Sequence, residues 1–193
     1  MPARIVVIYA HPYPSRSRAG KALLHAISDV EGLEVRSLYS RYPDFGIDID
    51  AEQEALLGAD LIVWQSPFYW YGVPALLHHW FEKVLALGWA YGDRHILRGK
   101  HVLFAVTTGG PPSSYSPEGM HGHPFETFLP PVSQTAKFCA MEFCEPFILH
   151  GAHRLSEEEL AEKAREYRAT IERAVRNIRN GNGIVVQSGV ANG

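Results

Sequence analysis

The sequence predicts an open, parallel α/β sheet with helices on both of its faces. Three observations support this fold class: short apolar runs rich in β-branched residues, segments of helical spacing between them, and a length of 193 residues that suits one domain. Continuous apolar runs are typical of strands that are buried on both faces of a parallel sheet. We therefore expect three layers, with the sheet between two layers of helices.

Each predicted element follows from a residue pattern. The first strand is a β-branched run bounded by Pro12 and Pro14, and the last helix opens with Ser156 and three glutamates, which is a capping-box pattern. The other helices have apolar residues at helical spacing. The predicted strands are residues 4–10, 34–38, 60–65, 101–107 and 143–149, and the predicted helices are 21–30, 51–57, 73–87, 125–139 and 156–180.

Five strands suit a flavodoxin-like fold, a five-stranded parallel sheet in three layers, better than a six-stranded dinucleotide fold. We expect this domain to span residues 1–180. Residues 181–193 are rich in Gly and Asn, so we expect them to form a flexible tail. Cys139 and Cys144 lie among apolar residues, and two thiols do not make a disulfide framework, so both are expected to be reduced core residues.

The composition excludes several classes of protein. The 18 basic and 21 acidic residues give a formal net charge of −3, which does not favour nucleic acid as a partner. The apolar runs are far shorter than the ~18–20 residues that span a bilayer, and the N-terminus lacks a signal-peptide pattern. We therefore expect a cytoplasmic protein without direct membrane insertion. We predict no metal site, because His121 and His123 lack a third ligand at a suitable spacing.

The loop after the first strand is the first candidate for a binding site. In open α/β sheets the ligand lies outside the carboxyl ends of the strands, at the topological switch point. Here residues 11–20 bring Ser17 and the arginines Arg16 and Arg18 to the start of a helix. Hydroxyls, backbone N–H groups and the helix dipole favour a phosphate there. The alternative is that Ser17 only caps the helix and the arginines are solvated.

The loop after the third strand contains four consecutive aromatic residues, Phe68, Tyr69, Trp70 and Tyr71. Four aromatic residues in a row cannot all face one core, because neighbouring side chains in a chain point in different directions. A flat conjugated ligand would suit them. A protein interface is the alternative, since interfaces are also enriched in Tyr, Trp and Phe.

The segment after the fourth strand carries paired glycines and then a long loop. The glycines of residues 107–110 can bring backbone donors close to a ligand, although such a pair is often only a turn. Long loops without regular structure are often functional. In this one Tyr115 and His121 are the strong donors, in a segment that can fold over a ligand.

Six spaced motifs give the chain a resemblance to a known family. They are Tyr-Ala-His-Pro-Tyr-Pro at 9–14, Leu-Tyr-Ser-Arg-Tyr-Pro-Asp-Phe at 38–45, Ile-Val-Trp-Gln at 62–65, Gly-Trp-Ala-Tyr-Gly at 88–92, Thr-Thr-Gly-Gly at 107–110 and Pro-Glu-Gly-Met-His-Gly-His-Pro at 117–124. Together they resemble the NAD(P)H:quinone oxidoreductase (DT-diaphorase-like) family of flavoproteins. The closest branch is bacterial and includes ancillary subunits of glutathione-regulated potassium efflux systems. The resemblance covers about residues 4–175.

The resemblance implies a homodimeric flavoenzyme. In this family the flavin takes a hydride from NAD(P)H at N5 and passes two electrons to a quinone, with both substrates using one pocket by turns. FMN is expected rather than FAD, because no segment suits an adenosine half, although relatives use both. Gly20 stands where many relatives carry Asn, which removes a side-chain donor from the phosphate loop, and Arg18 is a candidate to compensate.

The resemblance also implies roles for individual residues. Tyr115 and His121 match the family pair that stabilises negative charge near O2 and N1 of the reduced flavin, so they are the expected catalytic residues. Residues 107–110 match donors to the flavin ring, and the aromatic loop matches its edge contacts. The expected cofactor-binding residues are His11, Ser17, Arg18, Ala19, Gly20, Phe68, Tyr69, Trp70, Tyr71, Thr107, Thr108, Gly109 and Gly110.

Two other functions stay open at this level. The protein can be a regulatory module that docks on a potassium efflux antiporter, with redox activity secondary and with peripheral placement at the inner membrane through that partner. A one-electron flavodoxin carrier is less favoured, because such carriers are usually strongly acidic and do not need the Tyr115–His121 loop.

Overall fold

The structure, a computed structural model that describes residues 3–181, has the predicted three-layer α/β architecture. All strand pairs are parallel, and the sheet order is β2-β1-β3-β4-β5, with β6 also paired to β4. The strands are β1 Ile5–Tyr9, β2 Leu33–Ser37, β3 Leu61–Pro67, β4 His101–Thr107, β5 Glu142–Phe143 and β6 Phe147–Leu149. The helices are α1 Arg18–Ala26, α2 Leu38–Arg41, α3 Ile49–Leu57, α4 Ala75–Val84, α5 Pro130–Phe138 and α6 Glu157–Arg179.

Three elements differ from the sequence prediction. The fifth strand is divided into β5 and β6, and between them Pro146 has no N–H to give to the ladder. The helix predicted from residue 125 is a 3₁₀ turn, Phe125–Phe128, followed by α5, which starts at a proline. The short α2 was not predicted. The predicted tail lies outside the described residues, except for Gly181.

Two apolar layers enclose the sheet. One face packs against α1 and α6 through residues such as Leu23 and Ile171, and the other packs against α3, α4 and α5 through residues such as Leu56, Trp80 and Ala136. Both strands at the centre of the sheet, β1 and β3, are buried along their whole length. Burial on both faces explains why these strands read as continuous apolar runs. Both cysteines are free and buried, as predicted.

A buried hydrogen-bond chain fixes the start of α1 relative to the sheet. The Tyr167 hydroxyl donates to Gln65 Oε1 over 2.9 Å, and Gln65 Nε2 donates to the Gly20 carbonyl over 3.4 Å. Tyr167 and Gln65 are almost fully buried. Since unpaired buried polar groups are costly, the chain holds α6, β3 and α1 in one arrangement. The carboxyl ends of the central strands and the N-terminus of α1 therefore meet at a defined edge.

A second buried network lies on the opposite face. Glu52 is fully buried, and its Oε1 accepts from Arg36 Nη2 over 2.8 Å and from the Tyr42 hydroxyl over 2.7 Å. Its Oε2 accepts from Trp80 Nε1 over 2.9 Å. The network joins β2, α3 and α4. Among the described residues, no helix has the length and apolar character needed to cross a membrane.

Candidate functional site

A cavity of about 310 Å³ opens at the carboxyl ends of β1, β3 and β4. This is the topological switch point of the sheet. The strands β1 and β3 are neighbours there, and the chain continues from β1 to β2 on one side and from β3 to β4 on the other. Nine of the thirteen predicted cofactor-binding residues line it. The lining residues are His11, Tyr13, Arg16, Ser17, Arg18, Ala19, Pro67, Phe68, Tyr69, Thr107, Thr108, Gly109, Ala152 and His153.

The N-terminus of α1 forms one wall of the cavity. Ser17 is the N-cap, and its Oγ accepts from the Gly20 N–H over 3.1 Å. The backbone N–H groups of Arg18 and Ala19, in the first turn, have no acceptor within the helix. These two donors and the positive end of the helix dipole favour an anion at this wall of the cavity. Ser17 therefore caps the helix, and the capped terminus also faces the cavity.

The side chain of Arg18 is held away from this terminus. Its Nε donates to Glu157 Oε1 over 2.9 Å, and its Nη1 donates to the Leu155 carbonyl over 2.7 Å, both at the start of α6. The guanidinium is therefore engaged and does not replace a missing donor at position 20. Arg16, which also lines the cavity and is exposed, is the arginine whose side chain stays available there.

Steric crowding explains why position 20 is occupied by a glycine. A Cβ there would come within 2.4 Å of Tyr9 Oη and 2.5 Å of Ser17 Oγ, and real Cβ atoms do not approach other atoms so closely. Tyr9 is buried, and burial raises the pKa of its phenol, an effect that the Ser17 hydroxyl opposes. The tyrosine at the end of β1 thus occupies the space that a side chain at position 20 would need.

His11 presents one donor to the same cavity. Its Nδ1 accepts from the Tyr13 backbone N–H over 3.0 Å, so the proton of the neutral ring lies on Nε2. Burial lowers the pKa of His11, which keeps the ring neutral at pH 7. A neutral imidazole with an Nε2–H can donate to a hydroxyl or phosphate oxygen without adding charge.

The aromatic loop is a tight turn with a strained backbone. Tyr69 and Gly72 exchange two backbone hydrogen bonds of 3.0 Å, and the residues between them, Trp70 and Tyr71, have φ values of 50° and 64°. This turn type normally has Gly or Asn at both positions. Trp70 is 96% exposed, whereas Tyr69 lines the cavity. Strain of this kind is found at functional sites, where the surrounding structure maintains it.

The segment after β4 supplies backbone donors. Thr108 is buried, its N–H donates to the Leu149 carbonyl over 2.9 Å, and its hydroxyl donates to the Gly110 carbonyl over 2.8 Å. The N–H and the hydroxyl of Thr108 therefore already have acceptors inside the protein. By contrast, the N–H groups of Gly109 and Gly110 have no acceptor among the described residues, and Gly109 is exposed at the cavity.

Tyr115 and His121 lie together, beside the aromatic loop. Their rings stack with centroids 4.4 Å apart, and the Tyr71 hydroxyl lies 3.5 Å from His121 Nδ1. Phe68 and Phe125 pack edge-on against Tyr115 at centroid distances of 6.4 and 5.2 Å. Burial raises the pKa of Tyr115, so the phenol keeps its proton at neutral pH. The long loop thus brings two polar rings to the aromatic turn.

Several cavity residues were not predicted. Tyr13 and Arg16 lie inside the predicted first loop, but Ala152 and His153 come from the loop after β6. Because β6 pairs with β4, its carboxyl end reaches the same edge of the sheet. The rule that ligands bind at carboxyl ends of strands could have indicated this loop. Among the described residues, no group of three or more His, Cys, Asp or Glu could hold a metal ion.

Comparisons with known proteins agree with this architecture. A family described by a flavodoxin-like fold matches residues 3–171. The glutathione-regulated potassium-efflux system ancillary protein KefF of Enterobacter sp. (strain 638) is 48% identical over 166 residues, which are 85% of this chain and 93% of that protein.

Two solved structures are similar to the whole domain. The general stress protein 14 of Treponema denticola in complex with FMN has a TM-score of 0.83 and 35% identity, over 89% of this chain and 99% of that chain. An NADPH-quinone reductase of P. pentosaceus has a TM-score of 0.80 at 23% identity, over 86% of this chain and 96% of that chain, which shows the shared fold. With the sheet order, the switch-point cavity and the matched residues 3–171 taken together, the chain belongs to the family of proteins with the flavodoxin-like fold.

Proposed function

We propose that this protein is an FMN-dependent NAD(P)H:quinone oxidoreductase that transfers two electrons by a ping-pong reaction. One observation carries the proposal: the N-terminus of α1, which favours an anion, and the rings of Phe68 and Tyr69 line one cavity at the switch point. The stacked rings of Tyr115 and His121 lie outside that lining, next to Phe68. A relative of 35% identity is described in complex with FMN. The proteins named as quinone reductases among the structural neighbours have the same fold.

The residues at the cavity fit FMN. The N–H groups of Arg18 and Ala19 would hold the phosphate, and the Nε2–H of His11 would donate to the ribityl chain. Phe68, Tyr69, Trp70 and Tyr71 would flank the ring, and the N–H groups of Gly109 and Gly110 would donate to it. FMN is favoured over FAD because no segment of the sequence suits an adenosine half.

When bound, FMN would supply the centre that accepts a hydride from NAD(P)H and delivers it to a quinone. Tyr115 and His121 are the catalytic residues of the proposal, because both can donate a hydrogen bond where negative charge develops. The raised pKa of Tyr115 keeps its phenol a donor at neutral pH. Trp70, on the exposed tip of the turn, would help to exclude water from the open side.

The test uses the purified full-length protein, reconstituted with FMN or FAD and studied anaerobically. Bleaching of the flavin absorbance by NADH or NADPH, and its return when a benzoquinone is added, would support the proposal. Mass spectrometry of the released cofactor separates FMN from FAD. Absence of flavin binding after reconstitution with both cofactors would refute it.

The homodimer is a further part of the proposal. Two open grooves, of about 560 and 750 Å³, share His78 and Glu82 and form one continuous face from Trp70 to Phe138. Phe138 is 58% exposed. An exposed apolar face of this kind marks an interaction site, and a second copy is the expected occupant. Sedimentation analysis should give a dimer, and Phe138→Glu should shift it to monomer; a monomeric wild type would contradict this part.

The second candidate function is that of a regulatory subunit. It is favoured by one observation, the 48% identity to proteins named as ancillary to a glutathione-regulated potassium-efflux system. In that case the protein would dock on an antiporter and thereby lie at the membrane through its partner. Co-purification with a tagged antiporter from the same organism tests this function, and it is compatible with the reductase activity.

A further inference from the structure

The ring of Tyr115 is flanked by two imidazoles, of which the sequence indicated only one. His121 stacks on it with a centroid distance of 4.4 Å and an interplanar angle of 24°. His150, which follows β6, lies 5.0 Å from the same ring at an angle of 34°. Phe125 packs edge-on against both Tyr115, at 5.2 Å, and His150, at 5.3 Å. Rings on several sides thus define the plane of Tyr115.

His150 is itself held by a buried hydroxyl. Its Nδ1 lies 3.0 Å from Thr108 Oγ1, and Thr108 is almost fully buried. The single hydroxyl proton of Thr108 is donated to the Gly110 carbonyl over 2.8 Å. With its proton on that carbonyl, Thr108 Oγ1 accepts from His150 when the proton of the neutral ring is on Nδ1, which is the tautomer that we assign. Burial lowers the pKa of His150, which agrees with a neutral ring at pH 7.

The same hydroxyl links the two glycine donors to the aromatic cluster. Thr108 fixes the Gly110 carbonyl, and Gly110 O also accepts from the Gly151 N–H over 2.8 Å, one residue beyond His150. The loop after β4, the loop after β6 and Tyr115 therefore meet at Thr108 and His150. A shift of His150 would change the orientation of Tyr115 and of the glycine segment together.

We propose that His150 is a positioning residue for Tyr115: held by Thr108, its neutral imidazole fixes the plane of the phenol and so the direction in which the hydroxyl donates. The inference rests on the proposed function, because Tyr115 matters only if it donates to a bound flavin. His150 does not need to touch the flavin or a substrate in this role. A residue of this kind changes the stabilisation of reduced flavin more than the binding of oxidised flavin.

The test measures the dissociation constant of oxidised FMN and the two-electron midpoint potential of the full-length protein. His150→Phe keeps a ring beside Tyr115 but removes Nδ1, and Tyr115→Phe is the reference variant. Both should bind oxidised FMN within about twofold of wild type. Both should lower the preference for reduced FMN about tenfold, which is about 30 mV for a two-electron couple. The matched control is His123→Phe, an exposed histidine on the same long loop, which should change neither value.

A second pair of variants keeps the proposal testable if His150→Phe fails to fold. Thr108→Val removes the hydroxyl that holds His150. Because the same hydroxyl also forms a hydrogen bond with Tyr115 that lowers the pKa of the phenol, this variant should lower the potential at least as much as His150→Phe, and Thr108→Ser, which keeps the hydroxyl, should come closer to the wild-type value. A potential unchanged in His150→Phe and Thr108→Val but shifted in Tyr115→Phe would overturn the inference and leave the proposed function standing.

The apoprotein gives a readout that does not depend on flavin. The ring proton shifts of Tyr115, measured by NMR, should change in His150→Phe and in Thr108→Val but not in His123→Phe. If they do not change, the contact is absent and the inference fails. If they change but wild-type protein binds neither FMN nor FAD, the proposed function fails, and with it the role that we assign to His150.

Discussion

At the scale of single residues, the turn formed by Trp70 and Tyr71 carries unusual backbone strain. Non-glycine residues with positive φ cost of order 1–3 kcal/mol each, and here two large aromatic residues adopt such values consecutively. Trp70 is almost fully exposed, so packing within this chain does not repay the strain at that position. The strain is therefore consistent with a side chain that is placed for a ligand or a second subunit.

The first prediction concerns the stability of this turn. Trp70→Asn should raise the free energy of unfolding by about 0.5–1 kcal/mol, because Asn tolerates positive φ, and should weaken FMN binding. Urea denaturation of the apoprotein and FMN titration measure the two effects. The matched control is Tyr13→Asn, since Tyr13 is an exposed aromatic residue with a φ of −126°. Equal stabilisation by both substitutions would contradict the argument from strain.

The second prediction concerns the proposed catalytic pair. Tyr115→Phe and His121→Gln should each leave FMN bound but slow its reduction by NAD(P)H about tenfold, if each donor contributes ~1.4 kcal/mol to the charged state. Stopped-flow absorbance measures the rate. Tyr115→Phe retains the ring that packs against His121, so its effect reports on the hydroxyl. Unchanged rates in both variants would remove the pair from the mechanism.

At the scale of elements, the carboxylate of Glu52 holds β2, α3 and α4 together. Burial by itself would lower the pKa of Arg36, but its bonds to Glu52 and Glu34 raise it, so the guanidinium is always charged. Burial and Glu52 also raise the pKa of Tyr42 to about 12. All donors around Glu52 therefore keep their protons, and each has this carboxylate as its acceptor.

The third prediction follows from this network. Glu52→Gln should lower the free energy of unfolding by about 3 kcal/mol, because it leaves Glu34 as the one acidic partner of the buried Arg36 charge and brings an amide N–H₂ towards other donors. The matched control is Glu34→Gln, which removes the half-exposed partner of Arg36 and should cost less than about 1 kcal/mol. If both variants lost a similar free energy of unfolding in urea denaturation, the buried Glu52 network would not be the reason for the effect.

At the scale of the whole molecule, partly buried histidines make the free energy of unfolding depend on pH. Burial lowers the pKa values of His11, His101 and His150 below the ordinary value of 6.5. At pH values between the histidine pKa of the folded protein and that of the unfolded chain, the unfolded chain binds more protons. The free energy of unfolding therefore rises with pH in this range. The stabilisation that comes from keeping these histidines neutral is fully present above pH 6.5, and it is lost as the pH falls towards their pKa values in the folded protein.

The fourth prediction is therefore a fall in the free energy of unfolding between pH 7.5 and pH 5.5, measured by urea denaturation at constant ionic strength. His101→Gln should flatten this dependence, since His101 lies in β4 away from the cavity. Stability that increases on acidification in this range would contradict the sign of the effect.

The sequence by itself determined the fold class, most of the strands and helices in their order, and the edge of the sheet where the cavity lies. These follow from local patterns: β-branched runs, helical spacing and capping residues need no knowledge of distant contacts. The tertiary structure decided what depends on residues far apart in the chain. Arg18 bonds to Glu157, Gly20 makes room for Tyr9, and Thr108 joins His150. The side-chain partners in these contacts come together only when the strands pair, so no local pattern could indicate them.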